Sequence, residues 1–222
     1  MQKVFKHTHP YEPFIDEFTE KLIVGTLPPP RFTTKDLKVG DVNFCYGSRD
    51  GLLWPILDRI FNLNLKFENT ERAISQRKSF LKNRQIGICD IVASAEREKV
   101  DASDIGMQNI QLRNILGYLE KYPKIHTLLF TGGNSKNGPE YFFRKHLKVT
   151  GIFLKEISSE IPRMHEFTHP STNKLINTVS LIAPSGAANR AIGSLESYKR
   201  KKQENPTFNT LDYRVLQYRE YF

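Results

Sequence analysis

The sequence predicts an α/β protein: a three-layer α/β/α sandwich around a central four-stranded, mostly parallel sheet. Three observations lead there. Short apolar runs of strand length lie near residues 22–26, 85–92, 125–131 and 178–182. Helical stretches alternate with them, and strands that alternate with helices form mostly parallel sheets covered on both faces. Three of the runs end in turn-forming or polar residues, as strands do when a ligand crevice lies beyond their carboxyl ends. At 222 residues and 39% hydrophobic content, one domain spanning 1–222 with a well-buried core is expected.

Residues 1–20 carry His7-Thr8-His9-Pro10 and an acidic segment at Asp16, Glu17 and Glu20. Two histidines at i and i+2 are a metal-ligand spacing. No Asp, Glu or Cys cluster accompanies them, so a solvated lead-in without metal is expected. Leu22-Ile23-Val24 reads as a buried strand that stops at Gly25-Thr26-Leu27-Pro28-Pro29-Pro30. Gly25 lets backbone approach a ligand, and the proline run is rigid and largely without N–H donors. Phe44-Cys45-Tyr46-Gly47-Ser48-Arg49-Asp50-Gly51 reads as a compact loop. It leads into a helix with Leu53, Ile56, Leu57, Ile60 and Phe61 on its apolar positions.

A second helix runs from about Thr70 to Asn83. The strand around Ile86–Val92 follows, with Asp90 near its carboxyl end, where a carboxylate is either a cap or a site residue. Glu96 to Asp104 is charged and turn-like, and the stretch from Gln108 to Lys121 reads as a helix closed by Tyr122-Pro123. The third strand, at 125–131, ends in Gly132-Gly133-Asn134, which lacks the spacing of a phosphate-binding Walker loop. A helix follows at Pro139–Leu147. Residues 149–175, with Pro162 and Pro170, read as irregular, and His169-Pro170-Ser171 as a turn.

The fourth strand leads through Ala183-Pro184-Ser185-Gly186-Ala187-Ala188-Asn189-Arg190 into a helix. Free N–H groups and a hydroxyl at such a start suit a phosphate, with Arg190 adding charge; Ser185 as an ordinary N-cap is the other reading. Lys199-Arg200-Lys201-Lys202 is either a solvated helix end or a contact to a nucleic-acid backbone. The tail from Asn209 reads as a last packing helix.

The formal net charge is +9, which favours a polyanionic partner. Cys45 and Cys89 are too few for a disulfide framework or an iron–sulfur cluster. No run is long enough to span a bilayer and the first residues have no apolar signal core, so an intracellular, cytoplasmic protein with no membrane partner is expected, nucleoid-associated if bacterial.

Taken in order, the motifs resemble the uracil-DNA glycosylase superfamily, closest to its hypoxanthine-DNA and mismatch-specific branches. Gly25-Thr26-Leu27-Pro28 is similar to the first motif in its hypoxanthine form, with leucine where other branches have a catalytic Asp or Asn. Tyr46 through Ile56 is similar to the loop that runs from the base-stacking aromatic into the first helix. Gly87-Ile88-Cys89-Asp90-Ile91-Val92 resembles the second strand of the branch, and Ala183 through Arg190 resembles its DNA-gripping loop. The likeness spans about residues 20–195. Where the branch carries a catalytic asparagine before the tryptophan, this chain has Gly51.

The resemblance implies a monofunctional DNA N-glycosylase of base excision repair that needs no cofactor and acts as a monomer on damaged or modified DNA. It implies a base pocket of Gly25, Thr26, Leu27, Tyr46, Ser48 and Gly51. It implies a DNA grip of Pro184, Ser185, Gly186, Asn189 and Arg190, with Asp50 or Asp90 as the catalytic carboxylate. A DNA-binding or damage-sensing protein without turnover, and a small-molecule nucleoside hydrolase, are the alternatives.

Overall fold

Leu22, Ile23 and Val24 are each fully buried, and their alternation explains the architecture. Consecutive strand residues point to opposite faces. Ile23 therefore enters one apolar core while Leu22 and Val24 enter another. The strand beside it repeats the split, with Leu129 on the first face and Leu128 and Phe130 on the second. Strands apolar on both faces need two covering layers.

The computed structural model describes residues 4–101 and 103–222. Residues 1–3 of the lead-in, and residue 102 within the charged turn, lie outside the described residues. The first half of the chain holds β1 (Phe5–Thr8), β2 (Lys21–Gly25), α1 (Pro30–Thr34), α2 (Leu53–Phe61), α3 (Glu71–Asn83), β3 (Ile86–Asp90), β4 (Val92–Arg97) and β5 (Gln108–Leu112). There follow α4 (Ile115–Lys121), β6 (Thr127–Phe130), α5 (Pro139–Val149), β7 (Lys155–Ser158), β8 (Arg163–Thr168) and β9 (Leu175–Ser180). The chain closes with α6 (Asn189–Ser194), α7 (Glu196–Glu204) and α8 (Thr210–Arg219).

The central sheet corrects the four-stranded expectation. It has six strands and is mixed, in the order β3-β2-β6-β9-β8-β7. The four predicted strands form its parallel part, β2 pairing with β3 and β6, and β6 with β9. The other two come from the stretch expected to be irregular: β8 is antiparallel to β9, and β7 to β8. The edge strand β7 is mostly exposed and charged, with Lys155 paired to Glu166 at 2.7 Å. Charge protects an edge from further pairing but leaves no apolar run to read. Pro162 and Pro170 flank β8 instead of interrupting it.

A second, antiparallel sheet of order β1-β4-β5 is the other correction. It takes the place of the solvated lead-in, with His7 and His9 both buried. It also claims the first part of the stretch read as a helix from Gln108. The helix starts only after Asn114, whose side chain accepts the Gly117 N–H at 3.0 Å.

Buried residues of α2, α3 and α8 cover one face of the central sheet, and those of α4 and α5 the other. The loops leaving β2, β3, β6 and β9 therefore open on one edge. No helix among the described residues is long and apolar enough to cross a membrane.

Candidate active site

At that edge a cavity of about 290 Å³ is lined by Thr26, Leu27, Tyr46, Ser48, Asp50, Gly51, Asp90, Asp104, Thr131, Pro184 and Ser185. Strand register explains part of this convergence, since Gly25 stands opposite Asp90 in the parallel ladder. A larger depression of about 740 Å³, among Tyr11, Phe14, Phe32 and Phe44, includes none of the strand ends or predicted site residues. The strand ends and the predicted site residues gather in the smaller one.

Asp90 forms the floor and is only 6% exposed. Its Oδ2 accepts from His9 Nε2 at 2.9 Å, while Oδ1 has no hydrogen-bond partner among the described residues. The Tyr46 hydroxyl stands beside this carboxylate and pairs with Thr131 Oγ1 at 2.9 Å. Burial, and then the charge of Asp90, push the Tyr46 phenol well above its ordinary pKa, so it stays a proton donor. Gly25 leaves the room for both groups. A Cβ there would stand 1.9 Å from the Tyr46 hydroxyl oxygen and 2.6 Å from Asp90 Oδ1.

The wall from Tyr46 to Gly51 is held by specific bonds. Tyr46 adopts a φ of 55°, and at Gly47 a Cβ would meet the Val42 carbonyl oxygen at 1.9 Å. Trp54, buried at the start of α2, donates Nε1–H to the Cys45 carbonyl at 2.8 Å. Arg31 bridges Asp41 through two bonds, at 2.7 and 2.9 Å, and reaches Ser48 Oγ at 2.9 Å and Asp50 at 3.2 Å. Burial would raise the Asp41 carboxyl, but Arg31 and the backbone N–H groups of Arg49 and Lys38 outweigh it and hold it at about 2. The Asp50 side chain, by contrast, is 68% exposed at the rim.

The opposite wall is the 183–190 loop, which is fastened to the first. Leu52 N–H donates to the Pro184 carbonyl at 2.8 Å, and Gly51 and Ser185 form an isolated antiparallel bridge. Ser185 makes no side-chain cap; it precedes a single 3-10 turn, Gly186–Ala188. α6 has only six residues, too short for a developed helix dipole. What this loop offers an anionic strand is the Ser185 hydroxyl and the exposed Gly186, Asn189 and Arg190.

Several residues at the site were not legible as such. Arg214 of α8 is fully buried and donates to the carbonyls of Ala183 at 3.0 Å and Ser185 at 2.7 Å, and to Asn189 Oδ1 at 3.0 Å. Gln217 and Tyr218 bond the Ile182 N–H and carbonyl. A helix whose buried face carries Arg and Gln beside Val and Tyr is the signal that could have revealed this clasp. Asp104 lines the cavity, half-buried, and accepts the Thr26 hydroxyl at 3.0 Å. Burial raises its carboxyl to about 6, with Asp90 adding repulsion. His7 accepts from Arg97 Nε at 2.8 Å, and burial, then Arg97, lowers it to about 4. Neither histidine ligates a metal pattern, and no group of three or more potential metal ligands assembles among the described residues.

No family model matches the chain. It is 28% identical over 118 residues to a hypoxanthine DNA glycosylase of Methanosarcina acetivorans, covering 53% of this chain and 66% of that protein. To a hypoxanthine DNA glycosylase of Methanosarcina barkeri it is 30% identical over 129 residues, 56% of this chain and 71% of that one. The chain thus spans about two thirds of the length of these curated relatives. Its fold is similar to the solution structure of a candidate uracil DNA glycosylase from M. acetivorans, with a TM-score of 0.53 and 18% identity over 95% of this chain and 99% of that one. The relatives match over much of their own length, and the strand ends carry the motifs in order: the chain belongs to the hypoxanthine DNA glycosylase family.

Proposed function

We propose that the protein is a monofunctional DNA glycosylase. It flips a deaminated base into the 290 Å³ cavity and hydrolyses its N-glycosidic bond. The observation that carries this reading is a buried carboxylate at the cavity floor, Asp90, with one oxygen held by His9 and the other beside the Tyr46 hydroxyl. Asp90 takes the catalytic role in preference to Asp50, which is exposed and engaged by Arg31. In the reaction a water oxygen bonds to C1′ and the C1′–N pair leaves with the base. Asp90 stabilises positive charge on the sugar and takes the water proton, which passes on to the departing base or solvent. Tyr46 supplies the stacking face. Asp104, when ionised, accepts a ring N–H. Hypoxanthine and uracil carry one where adenine and cytosine present an unprotonated nitrogen, which a carboxylate repels. Ser185, Gly186 and Arg190 grip the strand through phosphate contacts that carry no sequence information. One copy of the chain supplies every group named here.

A second reading, a damage-binding protein without turnover, is favoured by Gly51 standing where the branch carries asparagine. One experiment separates the two. Duplex and single-stranded oligonucleotides carrying hypoxanthine, uracil or xanthine are incubated with the wild type, Asp90→Ala and Gly51→Asn, and alkali-labile abasic sites are measured. The glycosylase reading expects wild-type release that drops about a hundredfold in Asp90→Ala. Silence of the wild type together with release by Gly51→Asn would establish the second. The substitution is sterically reasonable: Gly51 is not at positive φ, and a Cβ would approach Ser48 O no closer than 3.2 Å.

A further inference from the structure

We propose that His9 is a positioning residue for water activation, donating Nε2–H to Asp90 Oδ2 so that the carboxylate is held in place at the cavity floor. This rests on the glycosylase reading and goes beyond it by assigning a role to the amino-terminal strand.

The geometry is specific. The His9 side chain is 2% exposed, and the pairing with Asp90 joins residues 81 apart in sequence. A surface ion pair contributes little; here a buried carboxylate would stand unpaired without its partner, which is costly. The other ring nitrogen is served in either protonation state. Nδ1 lies 3.1 Å from the Tyr11 N–H and 2.8 Å from the Tyr11 carbonyl, so backbone is at hand to donate to the neutral ring or accept from the charged one. The neutral ring leaves the pair with one negative charge facing the sugar, and the imidazolium cancels it. Activity through this pair therefore requires neutral His9.

Charged and titratable groups face the pair from several elements. Arg113, in the loop before α4, donates to the same Tyr11 carbonyl at 2.6 Å, competing with a Nδ1 proton. His7 and Arg97 stand on β1 and β4, with Arg97 buried and His7 held neutral beside it. Tyr46, Cys45 and Asp104 face Asp90 from the remaining sides: burial and the Asp90 charge keep the phenol and thiol protonated, and Asp104 adds a negative charge when ionised.

The test is single-turnover base release from a hypoxanthine duplex between pH 5 and 9, with DNA affinity measured in parallel, for the wild type, His9→Ala, His9→Gln and Asp90→Ala. Glutamine carries its amide N–H close to the position of Nε2 but does not titrate. His9→Ala should release base about a hundredfold more slowly at unchanged DNA affinity. His9→Gln should stay within several-fold of wild type at neutral pH and show a shallower acid-side fall in rate, keeping only the part that Asp104 sets near pH 6. Equal rates for His9→Ala and wild type, or a His9→Gln profile parallel to wild type in pH, would overturn the proposal. If His9→Ala does not fold, the His9→Gln profile alone decides. An inactive Asp90→Ala beside a fully active His9→Ala refutes only the role of His9. Asp90→Ala as active as wild type removes the Asp90 assignment, and the role of His9 with it.

Discussion

At the scale of single residues, the pocket keeps two carboxylates at different protonation thresholds. Asp104 is raised to about 6 by burial, with the neighbouring Asp90 adding to it. A carboxyl raised above its unfolded value of about 3.8 contributes stability below that value and loses it as pH rises through about 6. Asn keeps the oxygen that accepts from Thr26 and cannot ionise. Asp104→Asn should therefore stabilise the protein by about 1–2 kcal/mol at pH 7.5 and by almost nothing below pH 4, read from urea titrations at both pH values. The same change should weaken recognition of a ring N–H. A variant that is equally stable at both pH values contradicts the raised carboxyl. Of these pocket groups, Asp90 and Tyr46 were legible because a strand end and a recognisable loop carry them. Asp104 was not, because its only local signal is a charged turn and its burial comes from loops distant in sequence.

At the scale of elements, the proposed DNA grip is a loop clasped from behind. Ser185 and Arg190 project from it, whereas Arg214 holds its carbonyls in place from α8. Ser185→Ala with Arg190→Ala should weaken binding to all duplexes alike and flatten the slope of affinity against salt, since only phosphate contacts are removed. Arg214→Met should also weaken binding, but with a loss of about 1–3 kcal/mol in folding stability from the carbonyls left without donors. Fluorescence anisotropy across a salt series, with denaturant titrations beside it, distinguishes the two. Unchanged affinity in both variants would remove the loop from the DNA interface. The parallel strands and the helices over 53–61 and 71–83 were readable because apolar periodicity is local. The hairpin of β7 and β8 and the small sheet of β1, β4 and β5 were not. Their strands are half-exposed and polar, and pairing with neighbours far along the chain holds them in place.

At the scale of the whole molecule, a formal charge of +9 favours long-range attraction to a polyanion, as the proposed DNA substrate is, before any contact forms. Arg200 and Lys201 of α7 are exposed a short way beyond the grip loop, while Lys199 bonds Glu196 and Lys202 the Pro206 carbonyl. Association with an undamaged duplex should slow at least about tenfold between 50 and 200 mM salt, measured by stopped flow. A salt-independent rate would mean that the positive surface does not face the strand. The site also draws on both ends of the chain, with Asp90 held by His9 and the 183–185 loop by Arg214. During synthesis the sheet and most of the cavity can form while α8 is still inside the ribosome. A nascent chain at that stage has its carboxylate in place and its clasp missing. The finished pocket therefore waits for α8, and a chain released before Arg214 lacks the bonds that hold the 183–185 loop.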